Sequence, residues 1–157
     1  MSTLKTELKQ SKPFSSLEVE AFLNILRTAE VLMQGVTETL KPHELSPTQY
    51  NALRILRGAG SGGLACSEVG ERMVNKDPDI TRLLDRLEQR ELVTRERGAK
   101  DRRVVTAKIT ARGMKLLAAL DGPVDAVHRR QLGALGNKNL RQLVSLLEAA
   151  RESTVQN

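Results

Sequence analysis

Apolar residues near the start of the chain recur at alternating intervals of four and three positions. They are Phe22, Leu26, Ala29, Met33, Val36 and Leu40. This alternation is typical of a helix that presents one continuous apolar face, as in a coiled-coil seam. Ser15, with Glu18 three positions later, has the spacing of a capping box and predicts where the helix begins. Both ordinary core packing and a subunit interface remain open for this face.

A second helix is indicated by a cluster of capping residues. Ser46 is suited to the N-cap, Pro47 to the first helical position, and Gln49 to the reciprocal contact of a capping box. The pattern predicts a helix near 47–57. The glycine-rich segment GAGSGG at 58–63 then predicts a flexible connection that ends this helix.

A short helix and a longer one follow the glycine-rich connection. The segment SEVGERMV at 67–74 places Val69 and Met73 on one inward face. Asp77 is suited to the N-cap of the longer helix and Pro78 to its first position, where a missing N–H costs nothing. A short helix, a turn and a longer helix with a basic outer face match helix-turn-helix geometry. The spacing predicts a buried stripe formed by Ile80, Leu83, Leu84 and Leu87.

Two β-type runs joined by a turn come next. LVTRER at 92–97 and RVVTAKI at 103–109 are rich in Val, Thr and Ile. The segment GAKDR at 98–102 supplies Gly and Asp, which favour a hairpin turn. The sequence therefore predicts a β-hairpin directly after the longer helix.

Much of the positive charge lies around this hairpin. The whole chain has a net charge of +6, and seven basic residues stand against two acidic ones between Arg95 and Arg112, a local net charge of +5. A field of this sign attracts phosphate or an anionic membrane surface, but a solvated hairpin with charged tips accounts for it equally well. Charge alone leaves both interpretations open.

Residues 81–113, TRLLDRLEQRELVTRERGAKDRRVVTAKITARG, combine these features in one motif. Asp101 and Arg103 stand two positions apart in the hairpin, and Thr110 and Gly113 form a Thr-x-x-Gly that opens the next helix. In these features the segment resembles the MarR family of winged helix-turn-helix regulators. The resemblance implies a mainly α fold with a small β-hairpin wing, in which N- and C-terminal helices form a homodimer.

The resemblance also implies a domain organisation. Residues 1–14 are expected to be a flexible N-terminal segment, and 15–152 a single MarR-like domain. Within that domain, 15–41 and 111–152 would be dimerisation helices. The winged helix-turn-helix that binds DNA would occupy 47–110.

The C-terminal pattern is compatible with this organisation. A helix whose apolar spacing again alternates three and four would carry Leu117, Leu120, Val124 and Val127. Gly122 and Pro123 predict a kink or a break in it. Asn137 is suited to cap a final helix. That final helix would carry Leu140, Leu143, Val144 and Leu147.

Two positions depart from the family pattern. Ala65 stands where the family often has a Thr that caps the short helix, and Glu91 stands where it often has a Gly that ends the longer helix.

By resemblance, six residues are assigned to DNA contacts: Ser67, Thr81, Arg82, Arg86, Arg102 and Arg103. Thr81 and Arg82 would lie at base edges or nearby phosphates, and Ser67 and Arg86 at phosphates. Arg103 would reach the minor groove from the wing. The planar guanidinium of Arg suits both tasks, because it binds guanine or phosphate bidentately and is attracted to narrow minor grooves. Asp79 is interpreted as a helix-capping residue rather than as an acceptor from cytosine.

Composition argues against several other functions. With Cys66 alone no disulfide can form within the chain, and neither a signal peptide nor a membrane-spanning run is evident, so a cytoplasmic protein with no membrane partner is expected. No catalytic arrangement of residues stands out, and no enzyme is expected. His43 and His128 lie far apart without further ligands, so neither a metal nor a cofactor is expected.

The leading hypothesis is a ligand-responsive homodimeric repressor that binds a pseudo-palindromic operator in double-stranded DNA. The resemblance implies a small aromatic or phenolic effector. Tyr50 and His43 are candidate lining residues, although a core position for Tyr50 is slightly preferred. One alternative is a regulator that senses oxidants through Cys66, which is more simply interpreted as a small, half-buried residue at a helix start. The other is an RNA-binding module, disfavoured because no aromatic residue follows Tyr50.

Overall fold

A computed structural model describes residues 3–76 and 79–155 of the chain. Within these ranges it has seven α-helices and a three-stranded antiparallel sheet. The helices are α1 (Thr3–Glu7), α2 (Leu17–Leu40), α3 (Pro47–Ala59), α4 (Cys66–Arg72), α5 (Ile80–Gln89), α6 (Ala111–Leu132) and α7 (Gly136–Val155). The strands are β1 (Leu64–Ala65), β2 (Val93–Arg97) and β3 (Val105–Ile109), in the order β1-β3-β2. The mainly α fold with a small wing is thereby confirmed.

The core is aliphatic and is shared by α3, α5, α6 and the sheet. Leu53 of α3, Leu84 and Leu87 of α5, and Leu117 and Leu120 of α6 are fully buried in one cluster. Of the stripe predicted for the longer helix, Leu83 is buried as well and Ile80 is partly buried against the same cluster, so the prediction is confirmed with Ile80 at its edge. Because this stripe packs into the core, the opposite, polar face of α5 points toward solvent.

Short-range capping interactions decide where several helices begin. The capping box at Ser46 is confirmed, because its side chain accepts from the Gln49 N–H at 3.1 Å and the Gln49 side chain accepts from the Ser46 N–H at 3.1 Å. The prediction for α2 was wrong by one residue. Ser16, and not Ser15, is the N-cap, and it accepts from the Val19 N–H at 3.3 Å.

The start of α5 also differs from the prediction. Asp77 and Pro78, which the sequence favoured as N-cap and first helical residue, lie outside the described residues. The helix begins at Ile80, and the Asp79 carboxylate caps it by accepting from the Arg82 N–H at 3.1 Å. The capping interpretation of Asp79 is confirmed.

Glu91 adopts a left-handed conformation at the end of α5, with φ of 57°. Its N–H donates to the Glu88 carbonyl at 2.8 Å and the Leu92 N–H donates to the Leu87 carbonyl at 3.0 Å, which are the two bonds of a Schellman motif. Glycine is preferred at such a position because it has no Cβ. Here the helix ends at the expected place with a non-glycine residue.

The C-terminal helices agree only in part with the sequence prediction. Of the kink or break predicted at Gly122 and Pro123, the break does not occur, since α6 runs continuously to Leu132 with the proline inside it. Asn137 lies within α7 and does not cap it, because the helix already begins at Gly136. The apolar stripe of α6 is buried within the chain itself; it consists of Leu117, Leu120, Val124 and Val127.

A short helix occupies part of the N-terminal segment that was expected to be flexible. Helix α1 covers Thr3–Glu7, and its Leu4 side chain is buried. Glu7 forms an exposed ion pair with Arg27 of α2, with 3.5 Å between Oε2 and Nε. The boundaries of the MarR-like domain and of its parts stay predictions.

Candidate nucleic-acid interface

Helix α5 presents its polar face to solvent because its apolar stripe is fixed in the core. Thr81, Arg82 and Arg86 are all exposed on this helix, as the sequence predicted. The Asp79 carboxylate adds a negative charge at the helix N-terminus, where the helix dipole favours it. The arginines are therefore held on a well-anchored helix while their guanidinium groups remain accessible.

Helix α4 precedes α5 and packs beside it, and its Val69 is fully buried in the shared core. Ser67 lies in its first turn and is exposed, so the hydroxyl is accessible to a ligand. Ala65 has no side-chain acceptor with which to cap α4. The Glu68 side chain accepts from the Ala65 N–H at 3.3 Å instead, so half of a capping box is preserved despite the departure from the family pattern.

The wing is a hairpin whose tip requires glycine. Strands β2 and β3 pair from Val93 with Ile109 to Arg97 with Val105. The Gly98 N–H donates to the Val104 carbonyl at 2.8 Å, which closes the turn. A Cβ added at Gly98 would lie 2.6 Å from the backbone carbonyl oxygen of Asp101, closer than packing allows.

Asp101 orients the side chain of Arg103 at the wing tip. Its Oδ1 accepts from the Arg103 backbone N–H at 3.0 Å and from Nε at 3.2 Å, and Oδ2 accepts from Nη2 at 3.4 Å. The Arg103 side chain is nevertheless 91% exposed. The hydrogen bond from the Arg103 backbone N–H, followed by the side-chain bonds, lowers the pKa of the Asp101 carboxyl, so it stays ionised to a lower pH than an ordinary aspartate. Two residues that stand two positions apart in the hairpin therefore form a local pair that holds the guanidinium in one orientation.

The other cations around the hairpin are not equally accessible. Lys108 Nζ lies 3.6 Å from Glu96 Oε2, and Arg112 Nη1 lies 2.9 Å from Glu91 Oε2. Arg95 is paired with two carboxylates of α5. The local charge counted along the sequence therefore overstates the field, because some of the compensating carboxylates come from outside the segment. At the tip, Arg102 and Arg103 are both exposed.

A cleft of about 500 Å³ lies between α2, α3 and α6. Tyr50 lines it and is largely buried, with the Arg54 guanidinium carbon 5.8 Å from its ring centroid. His128, which could not be placed there from sequence alone, also lines it. His43 does not; its carbonyl accepts from Arg90 elsewhere. The remaining lining residues are Met33, Val36, Pro47, Thr48, Asn51, Ile55, Met73, Val74 and Asn75.

Cys66 is half-buried at the start of α4. Burial raises the pKa of its thiol, which lowers the fraction of reactive thiolate. Among residues 3–76 and 79–155, no group of three or more His, Cys, Asp or Glu residues could hold a metal ion. Over the same ranges, no helix is long and apolar enough to cross a membrane.

A short helix, an anchored helix with accessible arginines and a wing define a winged helix-turn-helix DNA-binding protein. The family model described as MarR family matches residues 45–105. The HTH-type transcriptional repressor MdtR of Bacillus subtilis (strain 168) is 34% identical over 140 residues, which are 86% of this chain and 88% of MdtR. The chain belongs to the MarR family of transcriptional regulators, and it is not an enzyme.

Solved structures agree with this assignment. A MarR transcription factor from Planctomyces limnophilus is 42% identical, with a TM-score of 0.68, and the match covers 87% of this chain and 99% of the other. CouR from Rhodococcus jostii RHA1, solved with bound p-coumaroyl-CoA, is 25% identical with a TM-score of 0.73. That match covers 87% of this chain and 95% of CouR.

Proposed function

We propose that this regulator is a homodimeric repressor that binds a pseudo-palindromic operator in double-stranded DNA and is released by a small aromatic effector. The observation that carries the proposal is the oriented, exposed Arg103 at the tip of a wing beside a reading helix with exposed arginines. The proposed DNA contacts are Ser67, Thr81, Arg82, Arg86, Arg102 and Arg103. Helix α5 would read the major groove while the wing contacts the minor groove.

The terminal helices support the homodimer. Phe22 and Leu26 on α2 are 58% and 52% exposed, and Leu143 and Val144 on α7 are 36% and 54% exposed. None of the residues of α7 that the structure describes is buried. Two long helices with apolar faces in water are unfavourable, and a second copy with the same faces would cover them in a closed, symmetric interface.

The cleft beside α3 supports control by an effector. Its apolar walls and its aromatic ring suit a flat ligand, and Arg54 favours a ligand that carries an acidic group. CouR was solved with p-coumaroyl-CoA, whose p-coumaroyl group is aromatic. The Asn51 side chain accepts from the Val74 N–H at 2.9 Å, so the cleft wall is tied to the segment that leads into α5. A ligand there would alter how the reading helix is presented.

The DNA assignment predicts different effects for two arginines. Arg103→Ala should weaken binding to the preferred duplex and reduce the magnitude of the slope of log K against log salt by about 0.9 for each phosphate interaction lost. Its base preference should remain that of the wild type. Arg82→Ala should instead change the preferred sequence, because Arg82 lies on the reading face of α5.

Both variants and the wild type would be titrated at several salt concentrations. The ligands would be the duplex that wild-type protein selects from a randomised library, a random duplex and a single-stranded RNA. Both variants should remain folded, since neither residue belongs to the core. Wild-type affinity for the RNA equal to that for the selected duplex would contradict the proposal and favour the RNA-binding alternative.

The effector assignment predicts that p-coumarate or a related phenolic acid raises the melting temperature and weakens operator binding. A ligand at about 100 times its Kd stabilises the folded protein by roughly 2.7 kcal/mol, which is a shift of several degrees. Arg54→Met should remove most of this shift, and Arg54→Lys should retain part of it. The methyl ester of the same acid is the matched control. If no phenolic acid changes either quantity, control by this class of ligand is excluded.

A further inference from the structure

Arg95 joins the wing to the reading helix. It lies at the middle of β2, and its side chain is only 20% exposed. Its Nε donates to Glu88 Oε2 at 2.7 Å, and Nη2 lies 2.6 Å from the same oxygen. Nη2 also donates to Asp85 Oδ1. One guanidinium therefore bridges two carboxylates, three positions apart, on one side of α5.

The bridge ties the middle of β2 to α5, and a constraint at this point also limits the direction of the rest of the wing. From Arg95 to the turn at Gly98 the strand extends by roughly 10 Å, at about 3.3 Å per residue. A small rotation of β2 about Arg95 would therefore move the tip, with Arg103, by a larger distance. The bridge is partly shielded from water, so solvent screens it less than it screens the exposed pair of Arg112 and Glu91.

The charges on α5 indicate that Arg95 acts within the protein and does not contact DNA directly. Asp85 and Glu88 lie beside the face that carries Arg82 and Arg86, and both would repel a DNA phosphate. Arg95 pairs with both carboxylates, so it is engaged within the protein and is not available as a phosphate ligand. Its planar fork suits two acceptors at once, whereas the ammonium group of a lysine is a single point charge.

We propose that Arg95 is a positioning residue for DNA binding: it sets the wing relative to α5, so that Arg103 and the reading helix reach one duplex together. Simultaneous contact raises affinity because the second contact forms within an already bound complex. This inference rests on the proposed DNA-binding function of the wing. It assigns Arg95 an indirect effect, which operates only while Arg103 can make its contact.

A double-mutant cycle tests this dependence. Arg95→Met keeps the length of the side chain but removes both ion pairs, and we expect roughly tenfold weaker binding to the duplex selected by the wild-type protein. The slope of log K against log salt should fall as it does for Arg103→Ala. In the Arg103→Ala background, Arg95→Met should cause no further loss, because the wing contact is already absent.

Two further measurements separate positioning from charge and from folding. Arg95→Lys retains the positive charge but lacks the planar fork that holds both carboxylates in fixed positions, and we expect it to bind several-fold more weakly than wild type. Circular dichroism melts of all variants show which are folded, and Arg95→Lys supports the same cycle if Arg95→Met does not fold. Losses that multiply in the double variant, or an Arg95→Lys variant that binds like wild type, would overturn the positioning role.

The outcomes also separate this inference from the proposed function. If the wild-type protein shows no preference for any duplex, or if Arg103→Ala binds like wild type, the DNA-binding role of the wing fails and the inference falls with it. If Arg103→Ala weakens binding but the effect of Arg95→Met simply adds to it, only the positioning role fails.

Discussion

Replacing Leu26 and Leu143 together with aspartate is expected to convert the protein from a dimer to a monomer and to abolish operator binding. Both side chains are exposed in the single chain, at 52% and 36%, so the charges should be tolerated in the monomer. In the proposed dimer each charge would be buried without a partner, and each would be present twice. The cost is several kcal/mol, which weakens association by more than about a thousandfold.

Val31→Asp provides the matched control for this variant. Val31 is 53% exposed on the same helix, but at 100° per residue it lies on the face opposite Phe22. It should remain dimeric. Sedimentation velocity at micromolar concentration distinguishes the species, and circular dichroism checks that each variant is folded. A wild-type protein that sediments as a monomer, or a Leu26→Asp and Leu143→Asp variant that stays dimeric, would refute the proposed interface.

Gly113→Ala is expected to destabilise the fold by about 2–3 kcal/mol. A Cβ at this position would lie 2.5 Å from the Leu92 carbonyl oxygen and 2.7 Å from Ile109 Cγ1. The carbonyl cannot easily move, because it accepts from the Thr110 N–H at 3.0 Å. The clash outweighs the roughly 1 kcal/mol that alanine normally gains over glycine in a helix. This contact explains why the Thr-x-x-Gly motif has glycine at its last position.

Gly58→Ala is the control, since Gly58 also lies in a helix but a Cβ there would have nothing within 4 Å. It should stabilise the protein by about 0.5–1 kcal/mol. Urea unfolding of both variants and the wild type at one protein concentration measures the difference. If Gly113→Ala is as stable as wild type, the close approach of α6 to Leu92 does not constrain this position.

Features that depend on neighbouring residues could be predicted from the sequence. Two helix caps join partners three positions apart. Ser46 and Gln49 form a capping box, and the Thr110 hydroxyl accepts from the Gly113 N–H at 3.0 Å. The apolar stripe of α5 follows from helical spacing. The wing follows from two β-type runs and a glycine turn, and Asp101 with Arg103 is again a local pair.

The candidate site could be predicted only in part. The exposure of Thr81, Arg82 and Arg86 follows from the stripe on the other side of their helix. The role of Arg95 could not be found in the same way. Counted along the chain it is one of seven cations, but the structure pairs it with carboxylates seven and ten residues earlier, on a different element. The DNA contacts themselves stay predictions.

The sequence by itself determined helices α2 to α7, the wing and the family of this protein, because periodicity, capping and turn chemistry act over a few residues. It did not reveal α1, which lies in a segment that was expected to be flexible. Only the tertiary structure decided which apolar faces remain exposed. The apolar stripe of α6 is buried within the chain, whereas no described residue of α7 is buried. The tertiary structure also decided that Tyr50 and His128 line one cleft and that Arg95 faces α5. These contacts join residues on separate elements, and their distances depend on how the whole core packs.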